Sequence, residues 1–361
     1  MIRAAMLSLL ALSAAAVAQA QEAPRWSLAI HGGAGVIERA GLTPAFDAAY
    51  RAALNQALEV GAEVLRNGGS ALDAVQAAVQ FMEDNPLFNA GRGAVFTSAG
   101  RNELDAAIMD GSNRDAGAVA GLTRTRHPIA AARAVMEQTP HVMLIGEGAN
   151  AFSAAIGLEQ VDPAYFFVER RWMQLEQVLT ARGDPIPPRP EGAPADRTPE
   201  PAPGAMADLS GVDQPPLNER KFGTVGAVAL DQHGNLAAAT STGGLTGKRW
   251  GRVGDVPIIG AGTYASNAEG CAVSATGDGE FYIRATVARD ICARIAAGAS
   301  GQQAAQAEVD DALSLGGYGG VIVMDAQGRP AMAMTSSGMY RGQVSADRPA
   351  AVAIYGDETP R

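Results

Sequence analysis

The hydroxyl of Thr224 stands at an abrupt change in the chain. "LNERKFG" ends a stretch poor in large apolar residues, and "TVGAVALD" begins an apolar strand. A threonine hydroxyl is a weak nucleophile unless a base sits beside it, and a free α-amine with a pKa near ~8 is such a base. Cutting the bond after Gly223 would supply that amine, and glycine tolerates the backbone strain from which the hydroxyl can attack the preceding carbonyl. A Gly-Thr pair alone is common, and every strand begins somewhere, so the neighbouring motifs carry the weight. "TSTGG" puts Thr242 and two glycines at the end of the strand expected to pair with that of Thr224. "GRVGD" supplies Arg252 and Asp255, a cation and an anion able to clamp the α-carboxylate and α-ammonium of an amino acid. "TGDG", Thr276 to Gly279, follows a strand, where successive backbone N–H groups can receive an oxyanion. Each motif alone reads as a surface turn; the four in succession point to acyl transfer.

Other chemistries fit less well. "VMLIGEGANA" contains G-x-G-x-x-A after a strand-like run, but no βαβ unit precedes it, so a dinucleotide site is not expected. "GGLTGKRWG" has the wrong spacing for a phosphate loop and Arg249 where a magnesium-binding hydroxyl belongs. "HGGAG" (His31 to Gly35) is similar to the oxyanion loop of lipases, yet the chain has no G-x-S-x-G elbow, which leaves His31 a structural role. His127, His141 and His233 offer no Ser-His-Asp arrangement, and no cysteine or histidine pair has metal-ligand spacing.

The elements that must position these residues belong to a chain of 361 residues that is 47% hydrophobic and carries a formal charge of −10, with no Lys/Arg-rich run. A substantial core is expected, and neither a nucleic acid nor an anionic membrane surface is an expected partner. "MIRAAMLSLLALSAAAVAQA" has the charged start, apolar run and A-x-A ending of a signal peptide over residues 1–20, so export to the periplasm or beyond is expected. Cys271 and Cys292 sit among apolar neighbours, which favours buried free thiols over a disulfide.

Helical periodicity covers Ala45 to Asn67 and, after a Ser70–Asp73 capping pattern, a second helix to about Asp84. A hairpin is predicted over "GAVFTSAGRNELDAAIMDG", a strand over "AGAVAGL", and helices from Pro128 to Ala155 and from Glu169 to Ala181. Gly183 to Pro216 holds ten of the chain's twenty prolines and reads as a flexible linker. Beyond it come a hairpin from Thr224, a strand "GCAVSATG", a single helix over "GEFYIRATVARDICARIAAG", another over "SGQQAAQAEVDDAL", a hairpin over "GGVIVMDAQGRPAMAMTSSG", and a last strand "PAAVAIY". Hairpins mixed with helix pairs predict an α+β fold of antiparallel sheets covered by helices.

"FGTVGAVALDQHGNLAAATSTGG", "GRVGDVPIIGAGTYASN", "AVSATGDGE" and "NPLFNAGRGAVFTSAGRNELDAAIMDG" occur in the order found in the plant-type L-asparaginase / isoaspartyl peptidase family, which the chain resembles from about Trp26 to its end, the Pro-rich tract excepted. The resemblance implies a four-layer αββα N-terminal-nucleophile (Ntn) hydrolase. It would be self-cleaved into an α subunit (residues 21–223) and a β subunit (224–361) that stay together as one domain, with such pairs forming a dimer. It implies Thr224 as nucleophile, Gly223 as the cleaved carbonyl, Thr242 bonded to the nucleophile, and Asn89 in support. Arg252 and Asp255 with Gly279 would bind substrate, and Thr276 with Gly277 the oxyanion. No catalytic cofactor is implied; a structural sodium ion would take carbonyls of Met82, Glu83, Asn85, Phe88, Ala90 and Arg92. The implied substrates are L-asparagine and β-aspartyl dipeptides. The alternatives are a glycosylasparaginase, which usually has Asp where Gly223 stands, and a non-catalytic amino-acid-binding relative. "LTGKRW" falls where the family varies, so substrate preference does not transfer.

Overall fold

The computed structural model describes residues 25–194 and 223–360. The expected leader and most of the expected linker lie outside them; of the linker, residues 183–194 are described. Those run without helix or strand but are pinned to the body: Arg189 pairs with Glu169, and Arg249 pairs with Asp184.

The chain opens with β1 (Ser27–Gly35), then α1 (Pro44–Arg66) and α2 (Ala71–Asp84) back to back. Thr43 caps α1 by accepting from Phe46 N, with Pro44 at the first helical position; Ser70 caps α2 by accepting from Asp73 N. Next come β2 (Leu104–Asp110), β3 (Ala116–Leu122), α3 (Pro128–Gln138), β4 (Met143–Ile145), α4 (Gly146–Ala155) and α5 (Glu169–Arg182). The predicted helix from Pro128 to Ala155 is therefore two helices around a strand. Thr139 precedes Pro140 and takes φ −135° and ψ 160°, as a residue before proline must when the ring bars helical backbone. The segment 94–102 closes only an isolated bridge, Phe96 to Asn102, rather than the predicted hairpin.

After residue 223 the order is β5 (Val225–Leu230), β6 (Leu236–Thr242), β7 (Thr263–Ser266), β8 (Cys271–Gly277), α6 (Gly279–Ala285), α7 (Val287–Ala296), α8 (Gly301–Ser314), β9 (Gly319–Asp325), β10 (Pro330–Met334), β11 (Gly338–Ser345) and β12 (Arg348–Tyr355). The predicted single helix breaks into α6 and α7 because Thr286 takes a left-handed φ of 50°. The strand β11 had no sequence expectation, and it pairs with both β1 and β12.

Eight strands form one sheet in the order β12-β11-β1-β5-β6-β2-β3-β4; four form another, β10-β9-β8-β7. All pairings are antiparallel except β3 with β4. Period-two alternation decides which face each side chain joins. In β1 and β5, Leu28, Ile30, Ala227 and Ala229 pack under α1 and α2, while Ala29, Val228 and Leu230 face the small sheet. The small sheet shares that second core with Val287, Ile291, Ala305 and Val309 of α7 and α8.

One expectation fails here. Cys271 and Cys292 are joined in a disulfide, with Cα atoms 5.4 Å apart. Cys271 opens β8, and Cys292 lies on the face of α7 that packs on that strand, so the fold brings together thiols that the sequence separates by 21 residues.

Candidate active site

The four motifs converge at one end of the layer between the sheets. Thr224 precedes the first residue of β5 and is 7% exposed; its Oγ1 donates to Oγ1 of Thr242, the last residue of β6, at 3.0 Å. Gly244 N–H donates to the same Thr242 oxygen at 2.9 Å, so that oxygen collects two donors. The hairpin register, Val225 opposite Ser241, is what sets the threonines side by side.

Asn89 anchors the junction from the other side. Its N–H donates to the Gly223 carbonyl at 3.0 Å, its carbonyl accepts from Gly243 N–H at 3.0 Å, its Nδ2 donates to Gly244 O at 2.8 Å, and its Oδ1 accepts from Val95 N–H at 2.9 Å. One asparagine thus ties the loop after α2 to both sides of the threonine pair. The carbonyl before Thr224 already has an N–H donor in place.

Arg252, Asp255 and Gly279 meet. A β-carbon on Gly279 would lie 2.8 Å from Asp255 Oδ1 and 2.9 Å from Arg252 Nη2, so only glycine lets the start of α6 approach the pair this closely. Arg252 reaches toward the threonine end as well: a β-carbon on Gly244 would lie 3.4 Å from its Nη1. Glu280 holds the guanidinium with two hydrogen bonds of 2.8 Å. Asp255 is buried, and its Oδ2 has no hydrogen-bond partner. Burial pushes its carboxyl up to about 7, with Arg252 pulling in the other direction. A buried carboxylate oxygen without a partner, beside a guanidinium, has the chemistry to accept from an ammonium group.

Thr276 ends the polar stretch of β8. Its Oγ1 accepts from Ala34 N–H at 3.3 Å, which leaves the hydroxyl proton free to donate. Gly277 follows, packed so tightly that a β-carbon would lie 2.6 Å from Tyr318 O.

The loop 82–93 is buried and its carbonyls turn inward. A β-carbon on Gly91 would lie 2.3 Å from Glu83 O, and one on Gly93 would lie 1.9 Å from Phe88 O and 2.8 Å from Pro86 O. The Met82 and Ala90 carbonyls each accept a backbone bond, from Asn85 and Gly93, and a carbonyl oxygen has a second lone pair. Such an oxygen-rich cradle suits a hard cation. Among the described residues no group of three or more His, Cys, Asp or Glu side chains is placed to hold a metal ion.

Two side chains enter the site in roles the sequence does not announce. His31 donates from Nδ1 to the Thr224 carbonyl at 3.0 Å. Glu83 is fully buried, and its Oε1 accepts from the Ser241 hydroxyl at 2.6 Å, tying the carbonyl loop to the residue before Thr242. Both contacts join residues more than a hundred positions apart, which no local pattern announces.

A hydroxyl pair at a glycine junction, an unsatisfied carboxylate beside an arginine, and a threonine–glycine turn are the equipment of a hydrolase. A family model described as asparaginase matches residues 24–354, and the chain belongs to that family. It is 50% identical over 317 residues to the isoaspartyl peptidase of Escherichia coli (strain K12), covering 87% of this chain and 91% of that protein. It is 45% identical to a putative isoaspartyl peptidase/L-asparaginase of Dictyostelium discoideum (89% and 93% covered). A plant-type L-asparaginase of Thermococcus kodakarensis is 39% identical (87% and 94% covered).

Proposed function

We propose that the protein is a threonine amidohydrolase that cleaves itself between Gly223 and Thr224 and then hydrolyses L-asparagine and β-aspartyl dipeptides. The observation that carries this reading is the 3.0 Å contact between the Thr224 and Thr242 hydroxyls, at a Gly-Thr bond whose carbonyl already has a donor. In self-cleavage Thr224 Oγ1 attacks the Gly223 carbonyl while Asn89 N–H stabilises the oxygen as charge develops; the C–N bond breaks to give an ester and a free α-amine, and water hydrolyses the ester to release the Gly223 carboxylate and restore the Thr224 hydroxyl. The freed α-amine of Thr224 then acts as base for its own hydroxyl. Arg252 takes the substrate α-carboxylate and Asp255 its α-ammonium, which leads the side-chain carbonyl toward Thr224. Thr276 and the Gly277 backbone receive the oxyanion; ammonia or an amino acid departs, and water releases aspartate. Stacked helices, sheet, sheet and helices are read as the four-layer αββα order of the Ntn hydrolases.

The carbonyls of Met82, Glu83, Asn85, Phe88, Ala90 and Arg92 are proposed to hold sodium, which would stiffen the loop carrying Asn89 and take no part in the reaction. The same reading places the mature protein outside the cytoplasm after loss of residues 1–20, and the Cys271–Cys292 disulfide supports an oxidising compartment. It also proposes a dimer of cleaved pairs.

The deciding measurement is the intact mass and N-terminal sequence of the purified protein beside Thr224→Ala. Two fragments, one beginning Thr-Val-Gly-Ala and absent from the variant, are expected. A single chain after long incubation, in protein that still binds aspartate, would leave only the binding-protein alternative. Turnover of N-acetylglucosaminyl-asparagine in preference to asparagine would instead select the glycosylasparaginase.

A further inference from the structure

The start of β5 is held in an unusual way. Its ladder with β1 ends at Gly226 opposite His31, and its ladder with β6 ends at Val225 opposite Ser241. Thr224 lies beyond both, so no strand pairing restrains its carbonyl. Once the preceding peptide bond is cut, this residue becomes a chain end, and chain ends fray unless tied down. The tie is the ring of His31.

That ring is the end of a buried line of polar side chains. Its Nε2 is 2.9 Å from Ser274 Oγ; Ser274 Oγ is 2.7 Å from Thr240 Oγ1; Thr240 Oγ1 is 2.7 Å from Thr263 Oγ1. All four residues are fully buried. The direction of every bond follows from one fact: a carbonyl can only accept. His31 Nδ1 must therefore carry the proton shared with Thr224 O, and the neutral ring leaves Nε2 as an acceptor. Ser274 must spend its single proton on Nε2. The contact with Thr240 then uses the proton of Thr240, and the contact with Thr263 uses the proton of Thr263. The longer contacts to Gly262 O (3.4 Å) and Val256 O (3.1 Å) are left as secondary ones. Burial lowers the His31 pKa to about 3, with the bond to the Thr224 carbonyl opposing, so the ring is neutral throughout the working range.

A second feature belongs to the same line. A β-carbon on Gly226 would lie 2.0 Å from Ser274 Oγ and 2.4 Å from His31 Nε2. The glycine two residues after the nucleophile keeps open the space in which histidine and serine meet.

We propose that His31 is the positioning residue of Thr224: its Nδ1–H fixes the nucleophile's main chain, in a tautomer dictated by hydroxyls that all donate toward it from Thr263 through Thr240 and Ser274. The proposal rests on Thr224 being the nucleophile. His31 does not touch substrate. Its effect is to leave the amine and Oγ1 of Thr224 at a fixed mutual orientation, and so to act on turnover rather than on the Arg252–Asp255 clamp.

The test has a part that needs no activity. In full-length Thr224→Ala protein with ¹⁵N-labelled histidine, His31 (assigned with His31→Asn in the same background) is expected to show protonated Nδ1 and bare Nε2, and not to titrate from pH 5 to 9. A protonated Nε2, or titration near the ordinary value of ~6.5, overturns the proposal. In the active protein, Ser274→Ala is expected to lower kcat threefold to tenfold, the effect of one hydrogen bond, with KM within twofold. His31→Asn, whose amide N–H can sit near the Nδ1 position, is expected to retain more kcat than His31→Gln, whose amide sits near Nε2. Equal losses in those two variants, or an unchanged kcat in Ser274→Ala, would remove the positioning role. The expected tautomer, found beside an unsubstituted chain that never self-cleaves, would count against Thr224 as nucleophile and leave the hydrogen-bond line standing.

Discussion

The two ends of the layer between the sheets are built from the same strands and differ in what fills them. At the end where β5 turns into β6, Leu230 and Leu236 join a cluster with Met109, Ala272 and Met324, and hold by exclusion of water and by shape. At the other end, in the same alternation, stand Thr224, Thr240, Thr242, Ser274, Thr276 and His31, all buried. Hydroxyls there replace apolar volume, and a buried hydroxyl is tolerated only when hydrogen-bonded. The polar end thus gives up hydrophobic stabilisation for fixed orientation. Adjacent to it, Asp255 is left with an oxygen unpaired, a cost that a bound ammonium group would offset. The difference teaches that one strand pair can serve as core along half its length and as site along the other half, with only the residue types changed.

Variants at the two ends should therefore fail in different ways. Arg252→Ala removes the group proposed to pair with a substrate carboxylate, and kcat/KM should fall by about 10³-fold, roughly 4 kcal/mol, with the proposed self-cleavage intact. Steady-state kinetics beside fragment analysis checks this, and a loss below tenfold would detach Arg252 from the substrate. At the apolar end, Leu236→Ala should lower stability by about 2–5 kcal/mol in denaturant unfolding while kcat is unchanged. A kcat loss there would mean that the two ends are not separable.

The disulfide braces the small sheet against α7, and Cys271→Ala/Cys292→Ala should cost about 3 kcal/mol by its loop length. Unfolding with and without reductant measures it, and a stability unaffected by the double variant would reduce the bridge to an incidental bond. The smallest effect concerns pH. Asp255 must be ionised to hold an ammonium group, and its carboxyl protonates as pH falls through about 7. Competitive inhibition by L-aspartate, the proposed product, should weaken as pH falls below that value, by up to about tenfold per unit. Inhibition constant from pH 8 to 5 would break the assignment of Asp255 to the ammonium.

The local signals were legible where local physics governs. Ser70 and Asp73 marked the start of α2, and the apolar alternation of Val225 to Leu230 marked a strand. The same reasoning merged α6 with α7, because a left-handed threonine at 286 has no signature in residue type, and it passed over β11, whose glycine and arginine dilute the alternation. The thiols were read as free because their pairing depends on α7 lying across β8.

By itself the sequence determined the residue types able to do the chemistry, the order in which they occur, and the caps and periodicities of most elements, since each depends on neighbours within a few positions. Tertiary structure alone decided that Thr224 meets Thr242, that Asn89 reaches Gly223, that Cys271 bonds Cys292, and that His31 ends a hydrogen-bond line on the Thr224 carbonyl. The physical reason is that each of these rests on sheet register and on close packing of glycine-lined surfaces, which are settled only when the whole core closes.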